Sequence, residues 1–281
     1  MRDDEIQVLG SSEAPQRHKY HALVRWIAAI LLAAVLCTSG YLLYGKFNRH
    51  QSLEKVMAKS GTDPDLLFHR SELSCVDDTV GEDDVPLRIY CFEYMSASLT
   101  MDEAVMADSA GIAPMAIIQA TDIRKDNGQP VGDIVIDGRR LAGGKSRKGY
   151  CAIIGGEVII GIDDGYEVMN YCIEQGGSFF REYPLIVDGA IYENKARGKK
   201  ERRALVAQGN SIYVFESIDR ESLYDFSTAQ LNSGVKNAIN LPGGINYMMV
   251  RGDGTYFENE RQNEGGCYLI LKPQRPQTSV R

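Results

Sequence analysis

The chain has 281 residues, 44% of them apolar, and a formal net charge of −7. That length accommodates one large or two small domains with a packed core, and the composition excludes a disordered chain. The negative balance gives no support to nucleic-acid binding, which shows as a basic domain or stripe, and no period of twenty to fifty residues suggests a solenoid.

Residues 1–25 read as a polar tail without apolar periodicity. From Trp26 to Tyr44 the chain runs nineteen residues without a charge, about what a helix needs to cross a hydrocarbon core of roughly 30 Å. Trp26, Tyr41 and Tyr44 stand near the ends as interfacial aromatics do, and Arg25 and Lys46 close the run. The expectation is one retained transmembrane helix over 26–44, because no small-residue cleavage site follows it. Lysines and arginines flank it on both sides, so charge does not set the orientation; a short tail before it and a large domain after it favour an extracytoplasmic domain. Residues 45–65 read as a stalk broken at Gly61 and Pro64, and the folded domain is expected over 66–272, with a loose tail at 273–281.

Asp77 to Asp84 reads as an acidic loop that lacks the pattern of a calcium hand. A strand is predicted over Leu87–Met95, and Thr100 with Glu103 forms a capping box for a helix ending at Gly111. A strand follows at Ala116–Thr121. Hairpins are predicted around Asp137-Gly138 and Gly155-Gly156, with a short helix from Gly165 to Gln175 after them. Pro184–Tyr192 is an apolar pair of runs about Asp188-Gly189, whose positive φ suits a type I′ turn. Arg203–Ala207 and Ser211–Ser217 flank Gly209-Asn210 as a second hairpin, and Glu221–Asn232 has helical spacing. Ala238–Gly244 reads as a buried strand ending in a glycine turn. Tyr247–Val250, Tyr256-Phe257 and Cys267–Leu271 supply three more strands. The fold class is α+β: a single domain with a mixed or mainly antiparallel sheet and two or three helices, preceded by the membrane helix.

The four histidines are His18, His21, His50 and His69, so the last 212 residues have none. A Ser-His-Asp or Cys-His site, or a histidine-ligated metal, is thereby excluded from the core. Cys75, Cys91, Cys151, Cys172 and Cys267 lie outside the membrane run without a C-x-x-C pair, which argues against a cysteine-ligated metal. Two disulfides with one free thiol, or unbridged core thiols, both stay open. Gly143-Gly144-Lys145-Ser146 is not a phosphate loop, because Arg139 stands where the first glycine is required.

Acid and base work therefore falls to carboxylates and arginines. Asp122 ends the early strand, where it is a candidate catalytic acid or, equally, a turn residue. Arg202 opens the Arg203 strand from the basic run Lys195–Arg203, which also reads as a solvated loop. Asn240 with the Gly243-Gly244 backbone is a candidate oxyanion site, or a bulge that closes the strand.

The order of these elements resembles the phosphodiester glycosidase family. There a P-L-(V/I)-x-D-G hairpin precedes an R-(T/S)-A-(I/L) strand, a helix and an A-(L/I)-N-L-D-G-G turn. Here Pro184–Gly189, Arg202–Leu205 and Ala238–Gly244 follow one another in that order. Upstream, Ala116–Ile123 and Gly128–Gly132 look like the family's N-(G/A)-(G/D)-(F/Y)-F strand and its G-x-P-x-G turn. The resemblance covers roughly Leu87 to Lys272. It implies hydrolysis or binding of a phosphate-linked envelope carbohydrate, with Asp122, Arg202 and Asn240 as catalytic candidates and Asp188, Gly243 and Gly244 as substrate-binding ones. Two positions depart from it: Pro242 stands in place of the closing-turn Asp, and Gln119 or a small neighbour where the early strand has Asn. A catalytically inactive carbohydrate-binding or scaffold module on the same fold is the alternative. An oxygen-ligated divalent cation also stays open.

Overall fold

A computed structural model describes residue 26 and residues 72–80, 85–101, 115–124, 126–144, 147–194, 197–252, 255–259 and 266–274. The chain divides into two compact units, Met1–Gly61 and Thr62–Arg281. In the first, Trp26 is helical and exposed. The rest of the predicted membrane run, the stalk, the Thr100–Gly111 helix past residue 101, and residues 275–281 lie outside the described residues. Among the described residues no helix is long and apolar enough to cross a membrane.

Among its described residues the second unit is built from antiparallel strands and two helices. In chain order the strands are β1 (Glu72–Val80), β2 (Val85–Glu93), β3 (Met95–Thr100), β4 (Ala116–Gln119), β5 (Ile134–Ile136), β6 (Arg139–Ala142), β7 (Gly149–Ile154) and β8 (Glu157–Ile162). After helix α1 (Glu167–Glu174) come β9 (Ser178–Glu182), β10 (Pro184–Val187), β11 (Ala190–Ile191), β12 (Arg203–Gln208) and β13 (Ser211–Ser217). Helix α2 (Leu223–Asn232) is followed by β14 (Ala238–Leu241), β15 (Met248–Gly252), β16 (Thr255–Glu258) and β17 (Tyr268–Pro273). Where one sheet was expected the described residues form three, ordered β1-β2-β13-β12-β14-β10-β11, β16-β15-β4-β17-β3 and β6-β5-β9-β7-β8.

The inner strands of the seven-stranded sheet, β12 and β14 above all, are buried on both faces, and the period-two alternation of strand side chains divides their residues between two cores. Leu205, Val214, Ile239 and Leu241 belong to the main core, with Ile118, Phe180 and Leu269 of the other sheets. Their neighbours Ala204, Val206, Phe215 and Ala238 pack instead with Leu223, Phe226 and Ala229 of α2. In β2 the same alternation sends Val85 and Leu87 to the α2 side and Tyr90 and Phe92 to the main core. Each such large apolar side chain stabilises the fold by about 1.5–3 kcal/mol on burial.

Both Asp-Gly hairpins form as their dipeptides predict, with positive φ at Asp137, Gly138, Asp188 and Gly189. Other expectations are corrected. Asp77 and Asp78 lie within strand β1, and Asp77 pairs with Arg88 across the sheet at 2.7 Å, so this part of the acidic stretch is not a loop. The Leu87–Met95 strand breaks at Tyr94, whose φ of 52° turns the chain into β3. Helix α2 starts at Leu223 because the Ser222 hydroxyl caps it, accepting the Asp225 N–H. Cys75, Cys91, Cys151, Cys172 and Cys267 are all unpaired, and the last three are buried, so the two-disulfide alternative falls.

Candidate active site around Glu182

Strand β9 was not read from the sequence, yet it carries the charged centre of the fold. All five of its residues are buried. At its end the Glu182 carboxyl is wholly inaccessible, and Arg147, 8% exposed, forms an ion pair with its Oε1. The other terminal nitrogen of Arg147 lies 2.6 Å from Asp122 Oδ2, on a side chain that is 46% exposed. One guanidinium therefore joins a buried acid to a solvent-facing one. The Tyr183 ring covers that guanidinium at 4.4 Å. Backbone N–H groups complete the arrangement: Asp122 donates to Glu182 Oε1 and Tyr183 to Oε2, each at 3.2 Å.

Local structure explains these positions. Val131 N–H donates to the Asp122 carbonyl at 2.8 Å, and Ile123 bridges to Pro130, so the glycine-proline turn after β4 holds Asp122 in place. Gly149, two residues past Arg147, lets β7 approach the end of β9. A Cβ there would sit 2.6 Å from the Glu182 carbonyl and 2.7 Å from Pro184 N. Burial pushes the Glu182 carboxyl up to about 8, against the opposing pull of Arg147 and the two N–H groups. Burial also works against the charge on Arg147, but Glu182 and Asp122 outweigh it and its pKa is raised. Gln119 and Thr121, just before Asp122, are buried with Gln119 Oε1 and Thr121 Oγ1 unpartnered.

Two further buried arginines frame this centre. Arg181, the residue before Glu182, donates through Nε to Asp133 at 2.9 Å and through its terminal nitrogens to the carbonyls of Asp163 and Gly165. Asp133, also fully buried, accepts from Arg140 at 2.6 Å and from Gly144 N–H at 3.1 Å. Arg203 lies 2.6 Å from Glu216 and donates to the carbonyls of Pro242 at 2.8 Å and Asn246 at 3.2 Å. Its guanidinium thereby pins the glycine turn to β12 and β13.

The structure distributes the six residues singled out from the sequence over three places. Asp122 is at the centre, and Asn240 joins it there, its backbone N–H donating to the Tyr183 carbonyl at 2.8 Å. Arg202, Gly243 and Gly244 form a second group at the start of β12. Arg202 donates to the carbonyls of Glu221 and Gly198 at 3.0 and 2.7 Å, and burial depresses its pKa. Gly243 is required there by packing, since a Cβ would meet backbone atoms of Glu201, Arg202 and Arg203 at 2.7–2.9 Å. Asp188 sits on the exposed tip of the β10–β11 hairpin, its N–H donating to Asn237 Oδ1 at 2.9 Å. Six steps of largely extended chain lead from Asn237 to Gly243, roughly 20 Å at about 3.3 Å per residue, so Asp188 lies at the far end of β14 from the glycine turn. Among the described residues no group of three carboxylate, thiol or imidazole side chains converges as a metal site.

Arg147, Glu182, Tyr183, Arg181, Asp133 and Arg203 were missed. The available signal was Ser178-Phe179-Phe180-Arg181-Glu182, a β-prone run with two charges at its end, directly before the Pro184 hairpin.

No family model matches the sequence, and no curated protein matches it. Among solved structures, the fold is similar to the catalytic domain of zebrafish N-acetylglucosamine-1-phosphodiester alpha-N-acetylglucosaminidase, auto-inhibited by its pro-peptide. The TM-score is 0.52 at 15% identity, over 73% of this chain and 83% of that one. It is also similar to a hypothetical protein from Synechocystis, with a TM-score of 0.51 at 11% identity, over 72% of this chain and 62% of that one. The likeness is one of fold, and it defines a distant structural relationship to a phosphodiester glycosidase domain.

Proposed function

We propose that the chain is a membrane-anchored protein of phosphodiester glycosidase type that hydrolyses a phosphate-linked envelope carbohydrate at the Asp122–Arg147–Glu182 centre. The observation that carries this reading is the single guanidinium shared by a half-exposed carboxylate and a buried one. Acids whose environments push their proton affinities apart divide acid and base roles between them. Asp122, facing solvent, takes the proton of an attacking water, a contribution of about 10²–10⁴-fold in rate. Glu182, protonated more readily, holds Arg147 in place and sets how firmly it grips Asp122. Arg147 is the fixed cation that a substrate phosphate meets beside that carboxylate. The order of family-like elements and the shared fold support the reading, and so does a core without histidine.

Turnover of aryl and nucleotide-sugar phosphodiesters by the purified chain tests it. Activity should fall at least about a hundredfold in Asp122→Ala with the unfolding midpoint unchanged. Turnover indifferent to Asp122 sinks the assignment. The anchor at 26–44 and an extracytoplasmic 66–272 belong to the same proposal; protease added to intact spheroplasts should remove the domain, and full protection overturns the orientation.

Pro242 favours a second reading. It has no titratable group, and Arg203 holds its carbonyl, so the closing turn is stiff and chemically inert. Saturable glycan binding without turnover would identify a carbohydrate-binding or scaffold module.

A further inference from the structure

We infer that the cleft between β11 and the first turn of α2 binds an anionic pyranose sugar. Its volume is about 440 Å³, within the roughly 300–1,000 Å³ of small-molecule sites. Apolar Ile191 and Leu223, aromatic Tyr192 and Tyr224, and polar Asn194 and Arg197 line it. Tyr224 is 66% exposed on the second residue of α2, while its neighbour Leu223 is buried. An exposed tyrosine offers a flat apolar face with a hydroxyl at its edge, which suits the ring of a pyranose and its hydroxyl groups.

The lining is fixed in advance but left uncommitted. Asn194 Nδ2 donates to the carbonyls of Pro184 at 2.5 Å and Tyr192 at 3.1 Å. Ser222 and Asp225 exchange two hydrogen bonds that hold the first turn of α2. Among the described residues, however, the Tyr224 hydroxyl, the Asn194 side-chain oxygen and the Arg197 guanidinium make no hydrogen bond or ion pair to the protein. The charge of the ligand follows from the segment that Arg197 opens. Lys199, Lys200, Glu201 and Arg202 come next after Gly198, and among the described residues Lys199 is the one of these cations within ion-pair distance of a carboxylate, Glu221 at 3.6 Å. The planar guanidinium of Arg197, an exposed residue of the lining, suits a carboxylate or phosphate on the sugar. Glu193, also on the lining, accepts from sugar hydroxyls.

The inference stands on the cleft and does not require catalysis by Asp122, so it is tested on the full-length chain carrying Asp122→Ala. The probes for calorimetry are a galacturonate tetramer, glucose 1-phosphate, a neutral glucan tetramer and inorganic phosphate. The anionic sugars should bind, the neutral glucan about tenfold more weakly, and phosphate not saturably. Tyr224→Ala should weaken all sugar binding roughly tenfold. Arg197→Ala should erase the preference for the anionic sugars and leave the neutral glucan unchanged. Binding by only one of the two anionic sugars identifies the anion. The inference is overturned by the absence of sugar binding at millimolar concentration, by binding that neither substitution alters, or by phosphate binding as well as glucose 1-phosphate.

Discussion

The backbone N–H of Asn240 donates to the carbonyl of Tyr183 at 2.8 Å, fastening the strand that leads into Pro242-Gly243-Gly244 to the residue beside Glu182. Because the bond belongs to the backbone, the Asn240 side chain is not needed to keep it. Asn240→Ala should therefore change stability by no more than about 0.5–1 kcal/mol. A large loss of phosphodiester turnover with an unmoved urea midpoint would place the side chain against substrate; a parallel loss of both would make it structural.

Arg147 is the only cation paired with the buried Glu182 among the described residues. Arg147→Met removes the grip on Asp122 and leaves the Glu182 carboxyl without its cation; above about pH 8, where that buried acid is ionised, breaking the pair from one side costs about 3–5 kcal/mol. In the double variant Arg147→Met/Glu182→Gln most of that loss should return, as read by chemical denaturation of the three variants at about pH 9. Additive losses would show that the two side chains do not depend on each other.

The pH dependence has a definite sign. The folded-state pKa of Glu182, about 8, is above the ordinary 4.5, so the folded protein binds this proton more tightly than the unfolded chain. Its contribution is complete below about pH 4.5 and is lost as pH rises through 8. Stability measured at intervals from pH 5 to 9 should fall more steeply in the parent protein than in Glu182→Gln, which has no proton to lose. Parallel curves would place the carboxyl at an ordinary pKa.

Gly243 and Gly209 separate steric from conformational requirements. At Gly243 a Cβ would press against three backbone positions of the β12 approach, whereas Gly209, with φ of 63°, has open space around it. Gly243→Ala should cost about 1–3 kcal/mol or more through overpacking. Gly209→Ala should cost about 1 kcal/mol from its left-handed backbone alone. Thermal unfolding of the pair decides, and equal shifts would contradict the close approach.

Pro242→Asp places a carboxyl in a buried turn beside the Arg203 guanidinium. If Asp122 is the working acid, this substitution leaves turnover unchanged or lowers it. If the turn has lost its acid from an active ancestor, hydrolysis appears or rises. Kinetics on an aryl phosphodiester distinguish the two outcomes, and a rise would move the catalytic assignment from Asp122 to the turn.

Much of the fold was legible because its signals are local. Asp137-Gly138 and Asp188-Gly189 specify their turns by backbone conformation, and Leu205, Val214 and Ile239 alternate with residues that face α2. The acidic centre was not legible, because its members lie apart in the chain and meet only through tertiary structure. Arg147 follows an unremarkable glycine-rich stretch. Glu182 ends a strand whose charged terminus reads like the start of a loop. Asp122 was found as a strand end, but nothing local indicates that its partner is an arginine twenty-five residues on. The division into three sheets was hidden for the same reason, since strand alternation gives the face of a residue and not the neighbour of a strand.

Strand β17 lies between β3 and β4, with Leu269 opposite both Leu99 and Ile118. About 150 residues of chain separate the end of β4 from the start of β17. At roughly 5–20 residues per second on the ribosome, that interval lasts on the order of 10–30 s. Throughout it, two apolar strands have been synthesised while the strand that must zip them together has not. A message truncated before codon 268 yields a polypeptide that holds every acidic and basic group of the Glu182 centre, yet cannot join β3 to β4. Its exposed edges then become templates for pairing with other nascent copies.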